Sequence, residues 1–132
     1  MPTGIHHIGV AVADLDESIR HYRNALGAEL VHRAVSDSEG LEAALLRIGT
    51  DEIELMSALR DDSPVGKFMA KRGPGLHHVA YGVKDIDVAL AEARAAGLEL
   101  IDAKPRIGLN GRRIAFVHPK SMGGVLTELV EA

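Results

Sequence analysis

An internal repeat constrains the fold of this chain more than any other feature. The segment GIHHIGVAV at residues 4–12 returns as GLHHVAYGV at residues 75–83, so a histidine pair stands near the start of each copy. His7 aligns with His78 at an offset of 71 residues. Under that offset other like residues also meet, namely Val12 with Val83, Asp14 with Asp85, Asp16 with Asp87 and Ile19 with Leu90. Such self-similarity indicates one supersecondary unit used twice.

The residue pattern predicts the order βαβββ in each copy. A strand of β-branched and apolar residues comes first, and Asp14 or Asp85 then caps a helix whose apolar residues recur at helical spacing. A glycine ends each helix. The strands that follow are predicted in AELVHRAV, GLEAALLRIG and DEIELMSA in the first copy, and in LELIDAKPRI, RRIAFVHP and GVLTELVE in the second.

We therefore predict an α+β fold in which two βαβββ modules form a cupped mixed sheet. The chain is expected to be a single domain over residues 1–132. Its first module spans about residues 4–58 and its second about residues 75–131. The connecting segment, about residues 59–74, contains a predicted short helix around Val65 to Lys71.

The composition narrows the possible functions. A net charge of −4 provides no broad cationic surface for nucleic acid, and two Phe, two Tyr and no Trp provide few rings for stacking on bases. The absence of cysteine rules out disulfides and thiolate metal sites, and it fits a reducing compartment. The N-terminal apolar run is short and soon acidic, unlike a signal peptide, and no run of about 18 apolar residues occurs. We expect a cytoplasmic protein that binds neither nucleic acid nor membranes.

Strand alternation separates the two histidines of each pair. His7 and His78 share their strand faces with small residues, whereas His6 and His77 share the opposite faces with larger apolar ones. An imidazole beside small residues leaves space for a ligand. A single such histidine is more often structural, but two equivalent ones favour a metal site. His6 and His77 are expected to point outward or to hydrogen-bond locally.

A glutamate lies in mid-strand near the end of each copy, Glu54 in DEIELM and Glu128 in GVLTELV. A carboxylate flanked by apolar residues is expensive to bury without a cation or a proton, although on an edge strand it would be solvated. Together with His7 and His78, the two glutamates form a set of two imidazoles and two carboxylates. This set suits one divalent transition-metal ion such as Co²⁺, Mn²⁺, Ni²⁺, Zn²⁺ or iron.

The chain resembles the vicinal oxygen chelate superfamily, in which two βαβββ modules surround one divalent metal ion. Within it, the sequence is similar to the methylmalonyl-CoA epimerases over nearly its whole length. The most specific segments are SPVGKFMAKRGPGLHH and HPKSMGGVLTELVE. The resemblance implies that His7, Glu54, His78 and Glu128 are the metal ligands. It also implies an enzyme that interconverts (R)- and (S)-methylmalonyl-CoA in propionate metabolism.

The implied reaction removes a proton that lies between a thioester and a carboxylate. The enolate charge that develops can be stabilised by a divalent cation. Inversion needs an acid and a base on opposite faces, roles that carboxylates fill when burial raises their pKa. Glu128 is one candidate and Glu42 in EGLEAALL is the other. An ungapped alignment places Ala43 at the family's second-base position, so Glu42 requires a shift of one residue, and a solvent-facing Glu42 is the alternative.

Coenzyme A carries phosphates, so the resemblance also predicts cations at the rim of the site. The candidates for contact with coenzyme A are Lys67, Lys71, Arg112, Arg113 and Lys120. His118 in FVHPK fits either a substrate contact or a turn. A homodimer is usual in the resembled family and is expected here.

Three other functions fit the same fold. A lactoylglutathione lyase would keep the metal and the proton transfer and change the substrate to a glutathione hemithioacetal. A ring-cleaving dioxygenase would use Fe(II) with two histidines and one glutamate, and the fourth acidic position disfavours it. A metal-free module that binds small molecules would leave the four ligand positions without a role.

Overall fold

The computed structural model describes residues 1–132, and the order βαβββ occurs in it twice. The first succession is β1 (Gly4–Ala11), α1 (Leu15–Leu26), β2 (Glu29–Ser36), β3 (Leu41–Ile48) and β4 (Asp51–Ala58). A connecting helix α2 (Pro64–Arg72) follows. The second succession is β5 (Gly75–Val83), α3 (Ile86–Ala95), β6 (Arg106–Ile107), β7 (Arg113–Val117), a 3₁₀ turn (Pro119–Met122) and β8 (Leu126–Glu131). None of these helices has the length and apolar character needed to span a bilayer.

The strands form one mixed sheet of eight strands in the order β2-β3-β4-β1-β5-β8-β7-β6. The first strand of each succession is parallel to the last, as β1 is to β4 and β5 is to β8. The β2–β3, β3–β4, β6–β7 and β7–β8 pairs are antiparallel. The predicted α+β class and mixed sheet are confirmed. The chain divides into two compact units, Ile8–His77 on the one hand and Met1–His7 with His78–Ala132 on the other.

The unit Ile8–His77 buries one face of its strands beneath α1. The Asp14 carboxylate accepts a hydrogen bond from the Glu17 N–H at 3.0 Å, as an N-cap should, and Gly27 closes the helix at φ 65°. The apolar core of this unit consists of Leu15, Ile19, Ala28, Ala44, Leu46 and Leu55. Because Ala44 and Leu46 of β3 belong to this core, the even-numbered face of β3 lies toward α1.

The other unit repeats this arrangement with α3. The Asp85 carboxylate accepts hydrogen bonds from the Asp87 and Val88 N–H groups at 3.0 and 3.2 Å. The core beneath α3 consists of Val83, Ile86, Leu90, Ala115, Val117 and Leu129. Both caps and both helices are thus where the repeat predicts them.

Two predicted elements have different bounds in the structure. The segment LELIDAKPRI does not form one long strand, because only Arg106–Ile107 and an isolated bridge from Leu100 to Val117 have strand pairing. Asp102 instead uses its carboxylate to accept the Phe116 N–H at 2.9 Å, a position that a strand carbonyl would otherwise take. Helix α2 is one residue longer at each end than predicted, since Ser63 caps it and proline is tolerated at its first position.

Substitution of Leu90 tests the core beneath α3. Leu90 is 1% exposed, and Leu90→Ala should lower the free energy of unfolding by about 2–5 kcal/mol through lost burial and a cavity. Val88 on the same helix is 52% exposed, so Val88→Ala should change it by no more than about 0.5 kcal/mol. Urea denaturation followed by circular dichroism measures both. Equal effects of the two substitutions would contradict the described packing.

Candidate metal site

Three polar side chains converge in the interior of the unit formed by Met1–His7 and His78–Ala132. His7 Nε2 lies 3.1 Å from Glu128 Oε1, and His78 Nε2 lies 3.2 Å from the same oxygen. The two Nε2 atoms are 3.2 Å apart. His7, His78 and Glu128 are only 5%, 3% and 6% exposed. Two imidazole nitrogens and one carboxylate oxygen therefore point at one small buried volume.

The strand register explains how Glu128 reaches His78. On the parallel pair β5–β8, Glu128 lies beside Ala80, which is two residues from His78 and on the same face. Ala80 is fully buried and too small to fill the space above it. Phe116 of β7 lies opposite Glu128, and its ring meets the His78 ring edge-to-face with 5.8 Å between centroids. Glu128 thus lies between a small residue on one neighbouring strand and an aromatic residue on the other.

Electrostatics keep the buried Glu128 ionised. Burial by itself raises the pKa of Glu128. Hydrogen bonds and charge interactions with His7 and His78 have the larger combined effect and lower the pKa to about 2. The sequence suggests that burial would raise the pKa of a catalytic carboxylate, yet here the two imidazoles outweigh burial. An ionised carboxylate is the form that binds a metal ion.

The spacing of these donors fits a bound transition-metal ion. Ligand atoms about 2.1 Å from one ion are roughly 3 Å apart when the angles between them are near 90°. The three separations of 3.1, 3.2 and 3.2 Å match that value. Imidazole nitrogen with carboxylate oxygen is also a donor set that such ions accept.

Glu54 belongs to the group of residues that could hold a metal ion. His7, Glu54 and His78 each offer one ligand atom, and these three atoms lie within 4.8 Å of one another. On β4, Glu54 is partly buried and pairs with Gly9 of β1 and with Leu45 of β3. His7, His78 and Glu128 thus meet in one cluster, and Glu54 stays a predicted fourth ligand.

Glu42, the sequence-predicted second base, is not part of this group. On β3, Glu42 shares the even-numbered face with Ala44 and Leu46, which lies toward α1, whereas Leu45 lies opposite Glu54. Arg33 donates to the Glu42 carboxylate at 2.8 Å through Nε and to Asp16 of α1 at 2.6 Å through Nη1. The continuous register of β3 with β4 keeps Glu42 on the α1 side and leaves Ala43 on the same face as Leu45 and Glu54. Through Arg33, Glu42 thus joins β2 and β3 to the first turn of α1.

The five residues predicted to contact coenzyme A have two kinds of surroundings in the structure. Lys67, Lys71, Arg112 and Lys120 are exposed. Arg113 instead donates to Asp87 at 3.1 Å and to Glu131 at 2.9 Å, and these carboxylates raise its pKa. Arg113 therefore joins β7 and β8 to α3. The His118 ring accepts the Lys120 N–H at 3.0 Å, which accounts for His118 as a cap of the 3₁₀ turn.

Two further residues lie beside the cluster. Phe116 packs on His78, and strand alternation in RRIAFV could have placed it on that face. His6 Nδ1 lies 2.8 Å from His7 Nδ1. This contact agrees with the local hydrogen bond expected for His6, although neighbouring strand residues ordinarily point to opposite faces.

Fold and site together define a class of proteins in which paired βαβββ modules present histidines and carboxylates able to bind a metal ion. Residues 6–116 match the model of the glyoxalase/bleomycin resistance protein/dioxygenase superfamily. The chain belongs to this superfamily, whose fold is also called the vicinal oxygen chelate fold.

Several sequence and structure relatives within the superfamily are methylmalonyl-CoA epimerases. The ethylmalonyl-CoA/methylmalonyl-CoA epimerase of Cereibacter sphaeroides is 34% identical over 95% of each chain. The crystal structure of methylmalonyl-CoA epimerase from Mycobacterium tuberculosis matches with a TM-score of 0.93 and 43% identity, covering 98% of this chain and 87% of that one. A methylmalonyl-CoA epimerase in complex with methylmalonyl-CoA and NH₄⁺ matches with a TM-score of 0.94 and 42% identity, covering 98% and 94%.

The two histidines of the second pair should differ in their effect on metal binding. His78→Ala removes a ligand atom and should reduce Co²⁺ affinity by more than the roughly 10- to 100-fold typical of losing an outer-shell partner. His77 packs its ring against Phe68 at 4.9 Å, so His77→Ala should change the affinity by less than about threefold. Isothermal titration of metal-free protein measures both affinities. Equal losses would refute the assignment of the two histidines to different faces.

Substitutions of Glu128 and Glu42 should also differ in their effect on metal binding. Glu128→Ala removes the oxygen donor and should abolish tight Co²⁺ binding, whereas Glu42→Gln only weakens the ion pair with Arg33 and should leave binding unchanged. Metal analysis after dialysis against Co²⁺ measures this, with thermal unfolding as a check on folding. Loss of metal in folded Glu42→Gln would restore Glu42 to the site.

Proposed function

We propose that this protein is a metal-dependent epimerase that interconverts (R)- and (S)-methylmalonyl-CoA. The observation that carries the proposal is the buried cluster of His7, His78 and Glu128, with 3.1–3.2 Å between donor atoms. Support comes from the fold, which matches a methylmalonyl-CoA epimerase in complex with methylmalonyl-CoA at a TM-score of 0.94.

His7, Glu54, His78 and Glu128 would hold the ion. When bound, a divalent cation supplies positive charge that stabilises the negative charge developing on the thioester oxygen. The donor set accepts Co²⁺, our first choice, and also Mn²⁺, Ni²⁺ or Zn²⁺. Burial of the cluster excludes water and strengthens the interaction of the substrate with every charged group there.

Proton transfer is assigned to Glu128 and Glu54. Epimerisation needs one group to remove the α-proton and another to return a proton on the opposite face. Glu42 is engaged with Arg33 on the α1 side of β3, so it is replaced in this role. Glu54 is the other carboxylate grouped with His7 and His78. Each carboxylate would alternately accept and donate a proton at Oε as the two epimers interconvert.

The thioester substrate would extend from the cluster toward exposed cations. Lys67, Lys71, Arg112 and Lys120 are proposed to contact the phosphates of coenzyme A. Arg113 is omitted because Asp87 and Glu131 already engage it. A metal-free binding module fits less well, since burying three polar donors is expensive unless a cation or proton joins them.

Several finer proposals rest on the sequence and on its resemblance to the epimerase family. These are a single domain with modules at about residues 4–58 and 75–131, a homodimer, a cytoplasmic location and a place in propionate metabolism. Multi-angle light scattering of the purified protein measures the oligomeric state, and a mass of one chain would refute the dimer.

Deuterium wash-in at the α-carbon tests the function directly. In heavy water with Co²⁺ supplied, the protein should exchange the α-proton of methylmalonyl-CoA far faster than the uncatalysed background, as followed by mass spectrometry or NMR. Removing metal with a chelator should abolish exchange, and adding Co²⁺ should restore it. Exchange at the background rate with metal bound would overturn the proposed activity.

The variant Glu54→Gln tests whether Glu54 is one of the two groups that transfer protons. Loss of one acid–base group typically slows turnover about 10²- to 10⁴-fold. A glutamine keeps an oxygen ligand, so the variant should retain metal while epimerisation falls by that amount. Glu42→Gln is the matched control and should retain full activity. Normal turnover by Glu54→Gln would refute the assignment.

A further inference from the structure

We propose that His6 is a positioning residue for metal binding, holding the His7 imidazole by accepting a hydrogen bond from it. The inference rests on the metal site proposed above and assigns to it a residue outside the four ligands. It also gives different roles to the two histidine pairs, although they are identical in sequence.

The contact joins the ring nitrogen of His7 that does not face the cluster. His7 Nε2 points at Glu128 Oε1 and His78 Nε2, at 3.1 and 3.2 Å. On the other side of the ring, His7 Nδ1 lies 2.8 Å from His6 Nδ1, and the two rings meet edge-to-face at 78° with centroids 5.1 Å apart. His6 thus holds the side of the ring opposite the ligand atom.

The chemistry of a ligand histidine determines the direction of this hydrogen bond. Nε2 of His7 must carry a lone pair to bind a metal ion, so the ring proton must be on Nδ1. His7 Nδ1–H then donates to His6 Nδ1, and His6 carries its own proton on Nε2. A metal-bound histidine almost always donates its second ring N–H to such a partner, which sets the tautomer and the ring orientation.

The start of β1 is anchored firmly enough for His6 to perform this role. The Thr3 N–H and hydroxyl both donate to the Gly82 carbonyl, at 2.8 and 3.2 Å. Gly82 also lies close to the His6 side chain, since a Cβ at Gly82 would be 3.9 Å from His6 Cβ. The acceptor is therefore carried by a strand end fixed to β5, and His7 itself is buried.

The second pair makes different contacts. His77 meets the ring of Phe68 edge-to-face at 4.9 Å, and His78 meets the ring of Phe116 at 5.8 Å. Aromatic rings therefore pack against both members of this pair. His77 occupies the same place in the repeat as His6, which makes it a matched control.

Co²⁺ binding by metal-free protein tests the inference without using activity. His6→Ala should weaken Co²⁺ binding by about 10- to 100-fold and alter the visible absorption of the Co²⁺ complex, because the His7 ring loses its fixed orientation. His6→Phe keeps a ring without an acceptor and should show the same loss. His6→Asn places a carbonyl oxygen near the position of Nδ1 and should restore affinity to within about threefold of the original protein. His77→Ala should bind Co²⁺ normally.

The outcomes separate this inference from the proposed function. Unchanged affinity in both His6→Ala and His6→Phe would overturn the role of His6 while leaving the metal site standing. Equal weakening in His6→Asn and His6→Ala would show that an acceptor at this position is not what matters, and would also overturn it. Failure of the unmodified protein to bind Co²⁺ would refute the metal site itself, and the role of His6 with it.

Discussion

Burial of the Glu128 carboxylate is the constraint on which the rest of the structure depends. A carboxylate that is 6% exposed needs compensation for lost hydration, and two imidazoles at 3.1 and 3.2 Å supply it. Those imidazoles come from the first strands of the two repeats, so the first strand of each copy must bring its histidine to Glu128. Ala80 beside Glu128 must also stay small, because a larger side chain would occupy the space that the donors share.

The negative charge of a glutamate is balanced by a different kind of side chain on each face of the strands. On the faces covered by helices, Glu42 and Glu131 each meet an arginine that also binds an aspartate in the first turn of the helix. The compensating group for Glu128 is instead histidine, which can give up its proton to bind a metal ion. A permanent guanidinium charge leaves a glutamate structural, whereas an imidazole leaves Glu128 open to chemistry. Glu42 and Glu128 therefore differ in the group that compensates their charge, arginine for Glu42 and histidine for Glu128.

Most of the fold could be predicted because local pattern and repeat agree with each other. The caps at Asp14 and Asp85 satisfy helix N–H groups within a few residues, so neighbouring residues decide them. Strand alternation likewise separates His78 from His77 and places Glu128 in a buried position. The strand expected in LELIDAKPRI is mostly absent because Asp102 binds the Phe116 backbone from 14 residues away, which no local pattern indicates.

The sequence by itself determined the two βαβββ copies and the histidines and glutamates able to bind a metal ion, because periodicity and residue chemistry are local properties. Only the tertiary structure decided which of these residues meet. Glu42 and Glu54 lie on different faces of the sheet. The pairing register of β3 with β4 determines this difference. His6 and His77 are equivalent in the repeat, yet one contacts a ligand imidazole and the other a phenylalanine. Their neighbours come from distant parts of the chain, and identical sequences acquire different roles when packing gives them different partners.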